Sequence, residues 1–394
     1  MTILTPSDPL TRLDVHVFRV PLARPVRTSF GAMRDRPAVF LRLEDSSGAF
    51  GWGEVFANWP AAGAEHRARL LVEDLADLFI GQSYDRQDGL FVSLTRQTHI
   101  RALQSREWGP FDQAIAGLDI AYHDLLARKA ALPFAKFLSA DAPDSVPTYA
   151  SGIDIREAEE VIAACRERGH RAFKVKVGFE LSDDVARLIH LADNLGTSEN
   201  LMADVNQGWD LDQARHALRR LAKCPLTWVE EPIAADAPKE HWQSLARESW
   251  VPLAGGENIA GLSSFMKAIE TLPLAVMQPD VIKWGGISGC EKVAQAAIAR
   301  GISYCPHFLG GGVGLLASAG LLAAVGGDGL LECDVNPNPL RDAFLGTGNV
   351  GPADRLPLPA SLGLGFDTLP DCIAEFQTLH AVATVSGFEY HAFG

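Results

Sequence analysis

The sequence has little that would cross-link it or anchor it. Its six cysteines are widely spaced, with no CxxC pair among 394 residues. They read as free thiols of a reducing compartment, not as a disulfide framework or a thiolate metal site. No apolar run is long enough to span a bilayer, and the opening MTILTPSDPLTRLDVHVF has no basic segment leading into an apolar one. A cytoplasmic enzyme is the expectation. Positive charge is also scarce: 35 Lys and Arg stand against 49 Asp and Glu, a net charge of −14. That balance argues against nucleic acid or an anionic membrane as partner. It leaves room for a small anionic substrate, because a local cluster of cations overrides a weak global field. Low-complexity tracts are absent, and 47% of residues are hydrophobic. A chain of this length and composition buries a large core unaided, and a symmetric homo-oligomer is the expected assembly.

Two textures are present. Residues 12–20 and 38–43 alternate apolar and polar side chains as strands do, and a turn at Asp45-Ser46-Ser47-Gly48 leads to a short strand near Trp52. Helical periodicity follows over 61–78 and 111–129. From about residue 146, β-branched runs recur at 146–151, 172–177, 200–205, 226–230, 251–255, 274–279, 302–306 and 329–333, starting 23 to 28 residues apart. That interval is one β-loop-α-loop unit, and eight in a row favour a parallel barrel over an open sheet. We therefore expect an α/β fold with an α+β capping domain over residues 1–130, a (β/α) barrel over 131–355 and a returning segment over 356–394.

Polar residues fall where the apolar runs stop. The second run carries Lys174 and Lys176, and the third ends in Asp204. Glu230 and Glu231 close the fourth, and Glu257 follows the fifth. Asp280, His307 and Glu332 close the last three. Catalytic groups of barrel enzymes sit at this C-terminal mouth. Seven charged strand ends in succession are hard to explain as stability, since a charge aimed at an apolar core costs several kcal/mol unless paired. Asp204, Glu230 and Glu257 would repel one another, and a hard divalent cation with all-oxygen ligation removes the conflict. Mg²⁺ fits, with Mn²⁺ as a substitute. Lys174 and Lys176 share one strand face, and two such cations near a metal should depress each other's pKa, by the roughly three units a lysine base needs. Asp280 can orient the His307 ring, and Glu332, buried and protonated, could donate to an oxyanion. Tyr149 and Ser151 could bind a carboxylate or serve packing. Gly310–Gly314 lacks the Lys-Ser/Thr of a nucleotide loop and reads as a tight turn, and Gly51-Trp52-Gly53-Glu54 as a turn around a packed Trp.

With these residues in order, the chain resembles the enolase superfamily, in its mandelate racemase subgroup. The resemblance spans nearly the whole chain and rests on Lys174-Val-Lys176, Ala203-Asp204-Val-Asn206-Gln207, Trp228-Val-Glu230-Glu231-Pro232, Gly256-Glu257-Asn258, Pro279-Asp280-Val-Ile-Lys283 and His307. It implies a (β/α)7β barrel of modified TIM type beneath an N-terminal cap. Asp204, Glu230 and Glu257 match the metal ligands, Lys176 one base and His307 with Asp280 the other. Lys174 matches the contact to the substrate carboxylate, and Glu332 the donor to the enolate. Lys or His bases with Mg²⁺ are the superfamily's general pattern. The implied substrate is a small anionic hydroxy-carboxylate, with dehydration of an acid sugar favoured and racemisation or epimerisation the alternative. Asn206, Phe30, Arg34, Trp59 and Phe308 are candidate substrate contacts, Arg34 suiting a distal carboxylate. The segment Arg27-Thr28-Ser29-Phe30-Gly31 is closer to the muconate lactonizing type, and Glu332 lies farther beyond His307 than in mandelate racemase.

Overall fold

A computed structural model describes residues 7–28, 31–346 and 354–393. The alternation in the first segment builds an antiparallel sheet. Its strands are β1 (Leu10–Thr28), β2 (Gly31–Asp45) and β3 (Phe50–Val55), joined by two strands from the far end of the chain, β13 (Gln377–Thr384) and β14 (Gly387–Ala392). The order is β14-β13-β1-β2-β3, so the C-terminal strands extend the sheet begun at the N-terminus. Leu13, Val15, Val17, Val39, Leu41 and Leu43 form one fully buried face. The helix Trp108–Lys129 lies against it.

Gly51-Trp52-Gly53-Glu54 is part of strand β3, not a turn. Its glycines let the helix approach: a Cβ at Gly51 would sit 2.1 Å from the Ala121 carbonyl oxygen, and one at Gly53 2.1 Å from that of Gly117. No residue with a side chain fits at that distance.

The barrel strands are β4 (Ser145–Asp154), β5 (Ala172–Lys176), β6 (Asn200–Asp204), β7 (Leu226–Glu230), β8 (Leu253–Gly255), β9 (Val276–Met277), β10 (Ser303–Tyr304) and β11 (Leu331–Asp334). All pair in parallel, in the order β10-β9-β8-β7-β6-β5-β4-β11. Leu330 N donates to Cys305 Sγ at 3.3 Å, linking the last strand to the end of β10. A helix follows each of the first seven strands, giving the (β/α)7β arrangement. The short β12 (Arg355–Pro357) pairs antiparallel with the start of β4. All six cysteines are free thiols. Among the described residues no helix is long and apolar enough to cross a membrane.

Period-two geometry then places the chemistry. Tyr149, Ala172, Met202, Trp228, Ala254, Val276 and Cys305 pack together as one apolar layer inside the barrel. The next inward positions, two residues on, are Ser151, Lys174, Asp204, Glu230, Gln278 and His307. The barrel interior is thus apolar below and ionisable at the mouth.

Candidate active site

Register brings the rim residues into a row. Lys176 pairs directly with Asp204, and Asp204 with Glu230. Lys174 is fully buried, and its Nζ lies 2.9 and 2.8 Å from the two Glu230 carboxylate oxygens and 2.8 Å from Glu332 Oε1. Lys176 Nζ donates to Asp204 Oδ2 at 2.9 Å and to Asn206 Oδ1 at 2.8 Å. Across the mouth, His307 Nδ1 meets Asp280 Oδ2 at 2.7 Å, and its Nε2 meets Glu257 Oε2 at 2.8 Å. Lys283 Nζ reaches the same Glu257 oxygen at 3.2 Å. Every expected ligand carboxylate is therefore engaged by at least one protein cation. Together they are an all-oxygen donor set at or just beyond the ends of three successive strands, the chemistry a hard divalent cation takes. Each is held by its protein cation, and the three do not bring their oxygens within 4.8 Å of one another.

A different cluster, Asp14, His16 and His380 on the cap sheet, has its ligand atoms within 4.8 Å of one another. There Arg12 donates to both Asp14 carboxylate oxygens, at 2.7 and 2.7 Å.

The electrostatics depart from the sequence expectation at two points. Burial alone would depress both lysines, but Glu230 and Glu332 hold Lys174 well above the ordinary lysine range, and Asp204 raises Lys176. Carboxylates outweigh the mutual repulsion of the two ammonium groups. Glu332 is also not a protonated donor. Burial would raise it, yet Lys174 and His307 carry it down to about 2, with Ser151 Oγ donating to it at 2.5 Å and Phe308 N at 3.1 Å. It is an ionised acceptor that fixes Lys174 from below. Glu230, by contrast, is pushed up to about 7 by burial, despite Lys174. Gln278 Nε2 donates to it at 2.6 Å. Burial opposes the charged form of His307, but Glu257, Glu332 and Asp280 raise its pKa well above the usual value.

A cavity of about 550 Å³ opens over this rim. Lys176, Asn206, Glu257, Lys283 and His307 line its barrel side, and Met33, Phe56, Asn58, Trp59 and Gln113 its cap side. Of the candidate substrate contacts, Asn206 and Trp59 line the cavity. Arg34 is exposed, and neither it nor Phe308 lines the cavity. Phe308 is buried in the core and contributes its backbone N–H to Glu332. Tyr149 is fully buried edge-on to Trp228, with Lys174 Nζ 5.3 Å from its ring centre, and acts as floor. Phe30 lies outside the described residues.

Sequence reading placed Trp59 of the cap at the substrate but missed how the cap holds the barrel loop. Glu54 accepts from Gly311 N at 2.5 Å and Gly314 N at 2.7 Å, so the glycine-rich run beyond His307 is clamped by the cap. A Cβ at Gly310 would stand 2.7 Å from the same carboxylate, which is why that run is glycine. Gln113 and Arg67 were also missed. Glu54 closes the Gly51-Trp52-Gly53-Glu54 run read above only as a turn, and no local motif marks Gln113 or Arg67.

The barrel half of the chain, residues 156–371, matches the model of the enolase C-terminal domain-like family, and residues 12–139 match the mandelate racemase/muconate lactonizing enzyme N-terminal domain. The chain belongs to the mandelate racemase/muconate lactonizing enzyme family. A crystal structure of such an enzyme from Bordetella bronchiseptica superposes with a TM-score of 0.86 at 45% identity, covering 94% of this chain and 99% of that one. The 3,6-anhydro-alpha-L-galactonate cycloisomerase of Streptomyces coelicolor is 32% identical over 308 residues, 76% of this chain and 82% of its own. An L-talarate dehydratase from Polaromonas, solved with Mg and L-glucarate, is 25% identical with a TM-score of 0.81, covering 96% of this chain and 100% of that one. Relatives in this family include dehydratases, cycloisomerases and racemases.

Proposed function

We propose that this protein is a Mg²⁺-dependent enzyme that removes the proton α to a carboxylate, most readily as a dehydratase of an acid sugar or related hydroxy acid, giving a 2-keto-3-deoxy acid. The observation that carries the reading is that Lys176 and His307 line one cavity with Glu257. Asp204, Glu230 and Glu257 would hold Mg²⁺ (or Mn²⁺), which supplies Lewis-acid stabilisation of the substrate carboxylate and of the charge that develops on it.

This chain's own residues do the rest. Lys174, fully buried between Glu230 and Glu332 and not lining the cavity, adds a fixed positive charge behind the carboxylate's place. Lys176 takes the α-proton. Its raised pKa reflects Asp204, whose charge a bound divalent cation would neutralise, returning the amine toward the range of a base. His307 is the second proton carrier, and Asp280, accepting from Nδ1, leaves Nε2 as the atom that exchanges a proton with the substrate. A protonated His307, its ring held by Asp280, can give its proton to a departing β-hydroxyl so that it leaves as water.

Racemisation or epimerisation by two-base proton transfer is the second reading, supported by the same opposed pair. A panel of acid sugars incubated with enzyme and Mg²⁺, scored for 2-keto-3-deoxy products, separates them. Keto acid from at least one compound supports dehydration. Inversion at the α-carbon without keto acid supports the alternative, and neither from any compound sinks both.

A further inference from the structure

Behind the cap side of the cavity lies a buried cation with no carboxylate in contact; burial lowers its pKa and only the more distant Glu107 opposes that. Arg67, on the helix Gly63–Arg69, is 2% exposed, and none of its nitrogens lies within 4.0 Å of a carboxylate oxygen among the described residues. Its donors go instead to neutral acceptors. Nε and Nη2 reach Gln113 Oε1 at 2.9 and 2.6 Å, Nη2 reaches the Trp59 carbonyl at 3.2 Å, and Nη1 the Gly63 carbonyl at 3.4 Å. A desolvated guanidinium is expensive without an anion nearby.

Gln113 is the next link. A guanidinium offers donors only, so the carboxamide oxygen must be the atom that faces Arg67. The amide NH2 is thereby turned away from the arginine. It has no hydrogen-bond partner among the described residues, and Gln113 lines the cavity. Polarisation by the cation behind it strengthens that NH2 as a donor. Beside it, Asn58 spends its own NH2 on the Leu309 carbonyl at 2.8 Å, which leaves its oxygen as an acceptor. The cavity's cap residues therefore offer a donor backed by a cation, from Gln113, and an acceptor, from Asn58.

We infer that Gln113, oriented by Arg67, is a specificity-determining contact that selects substrates carrying a second anionic group, a carboxylate, at the end distal to the reacting carbon, with Asn58 taking a neighbouring hydroxyl. This rests on the site assignment proposed above. Gln113 touches the substrate, and Arg67 is a positioning residue. On this reading the distal contact that sequence reading offered to Arg34 is a carboxamide N–H polarised by Arg67.

The test compares hydroxylated dicarboxylates with monocarboxylates of the same length and hydroxyl configuration, over four to six carbons. Dissociation constants are measured by calorimetry on the full chain with Mg²⁺, alongside kcat and KM where turnover occurs. Wild type is expected to prefer the dicarboxylates. Gln113→Leu should weaken them about 10–100-fold, the worth of one hydrogen bond to a charged group, chiefly through KM, and weaken the monocarboxylates by a smaller factor, so that the preference ratio falls. Gln113→Glu would pair with Arg67, raise Tm, and turn the preference against dicarboxylates, which a merely structural Arg67–Gln113 staple would not do. Arg67→Met is expected to lower the same preference ratio together with Tm. Equal binding of the two classes by wild type, or an unchanged ratio in all three variants, overturns the inference. Absence of Mg²⁺-dependent binding of either class would instead overturn the underlying site assignment.

Discussion

Glu54→Gln isolates the link between cap and barrel mouth. The wild-type carboxyl is 1% exposed and accepts two backbone N–H bonds, yet burial pushes its pKa to about 7 from an ordinary 4.5. A carboxyl whose folded pKa is raised binds its proton more tightly when folded. Its contribution to stability is complete below the unfolded value and is lost as pH rises through the folded one. The window is therefore pH 4.5 to about 7. A gap of this size corresponds to about 3 kcal/mol.

Glutamine keeps one acceptor but sets an NH2 against a backbone N–H, a loss of about 1–3 kcal/mol that does not depend on pH. Urea unfolding from pH 4.5 to 8 should thus give a variant that is the less stable at acid pH. The gap should narrow as pH rises, because only wild type loses the protonation contribution. Parallel curves, offset by a constant, would refute the assignment of a raised pKa to Glu54. A gap that widens with pH would refute its sign.

Lys174→Met should abolish turnover and destabilise the fold by about 3–5 kcal/mol, since Glu230 and Glu332 lose the cation between them; a small change in urea midpoint would contradict this. Chelation with EDTA should remove activity and Mg²⁺ or Mn²⁺ restore it, with Asp204→Asn needing far more metal for the same rate. Gly53→Ala should lower Tm sharply or prevent folding, because its Cβ would stand 2.1 Å from the Gly117 carbonyl oxygen. An Ala variant with wild-type Tm would show that the helix moves away freely.

Much of the barrel was legible because period two is rigid. Once a strand's apolar layer is known, the next inward residue follows, and that fixed Lys174, Asp204, Glu230 and His307 at the mouth. Charge state was less legible. It depends on how many donors surround each carboxylate, and the three around Glu332 come from β4, β5 and the loop after β10. The cap's part was hidden by distance along the chain: Glu54 meets Gly311 across 257 residues, and Arg67 meets Gln113 across 46. The helix Gly89–Ser105 buries only Leu90, Leu94, Thr98 and Ala102, a stripe too thin and too polar at Thr98 to stand out as a period.

The claim that two bases oppose each other across a carboxylate-held metal is tested most directly by α-proton exchange in D₂O. ¹H NMR would follow each epimer of an accepted hydroxy acid with wild type, Lys176→Ala and His307→Asn. Complementary losses are predicted, each variant failing on the epimer whose proton faces the missing base and retaining exchange on the other. Exchange of both epimers surviving in Lys176→Ala, or lost equally in both variants while metal binding is intact, would contradict it.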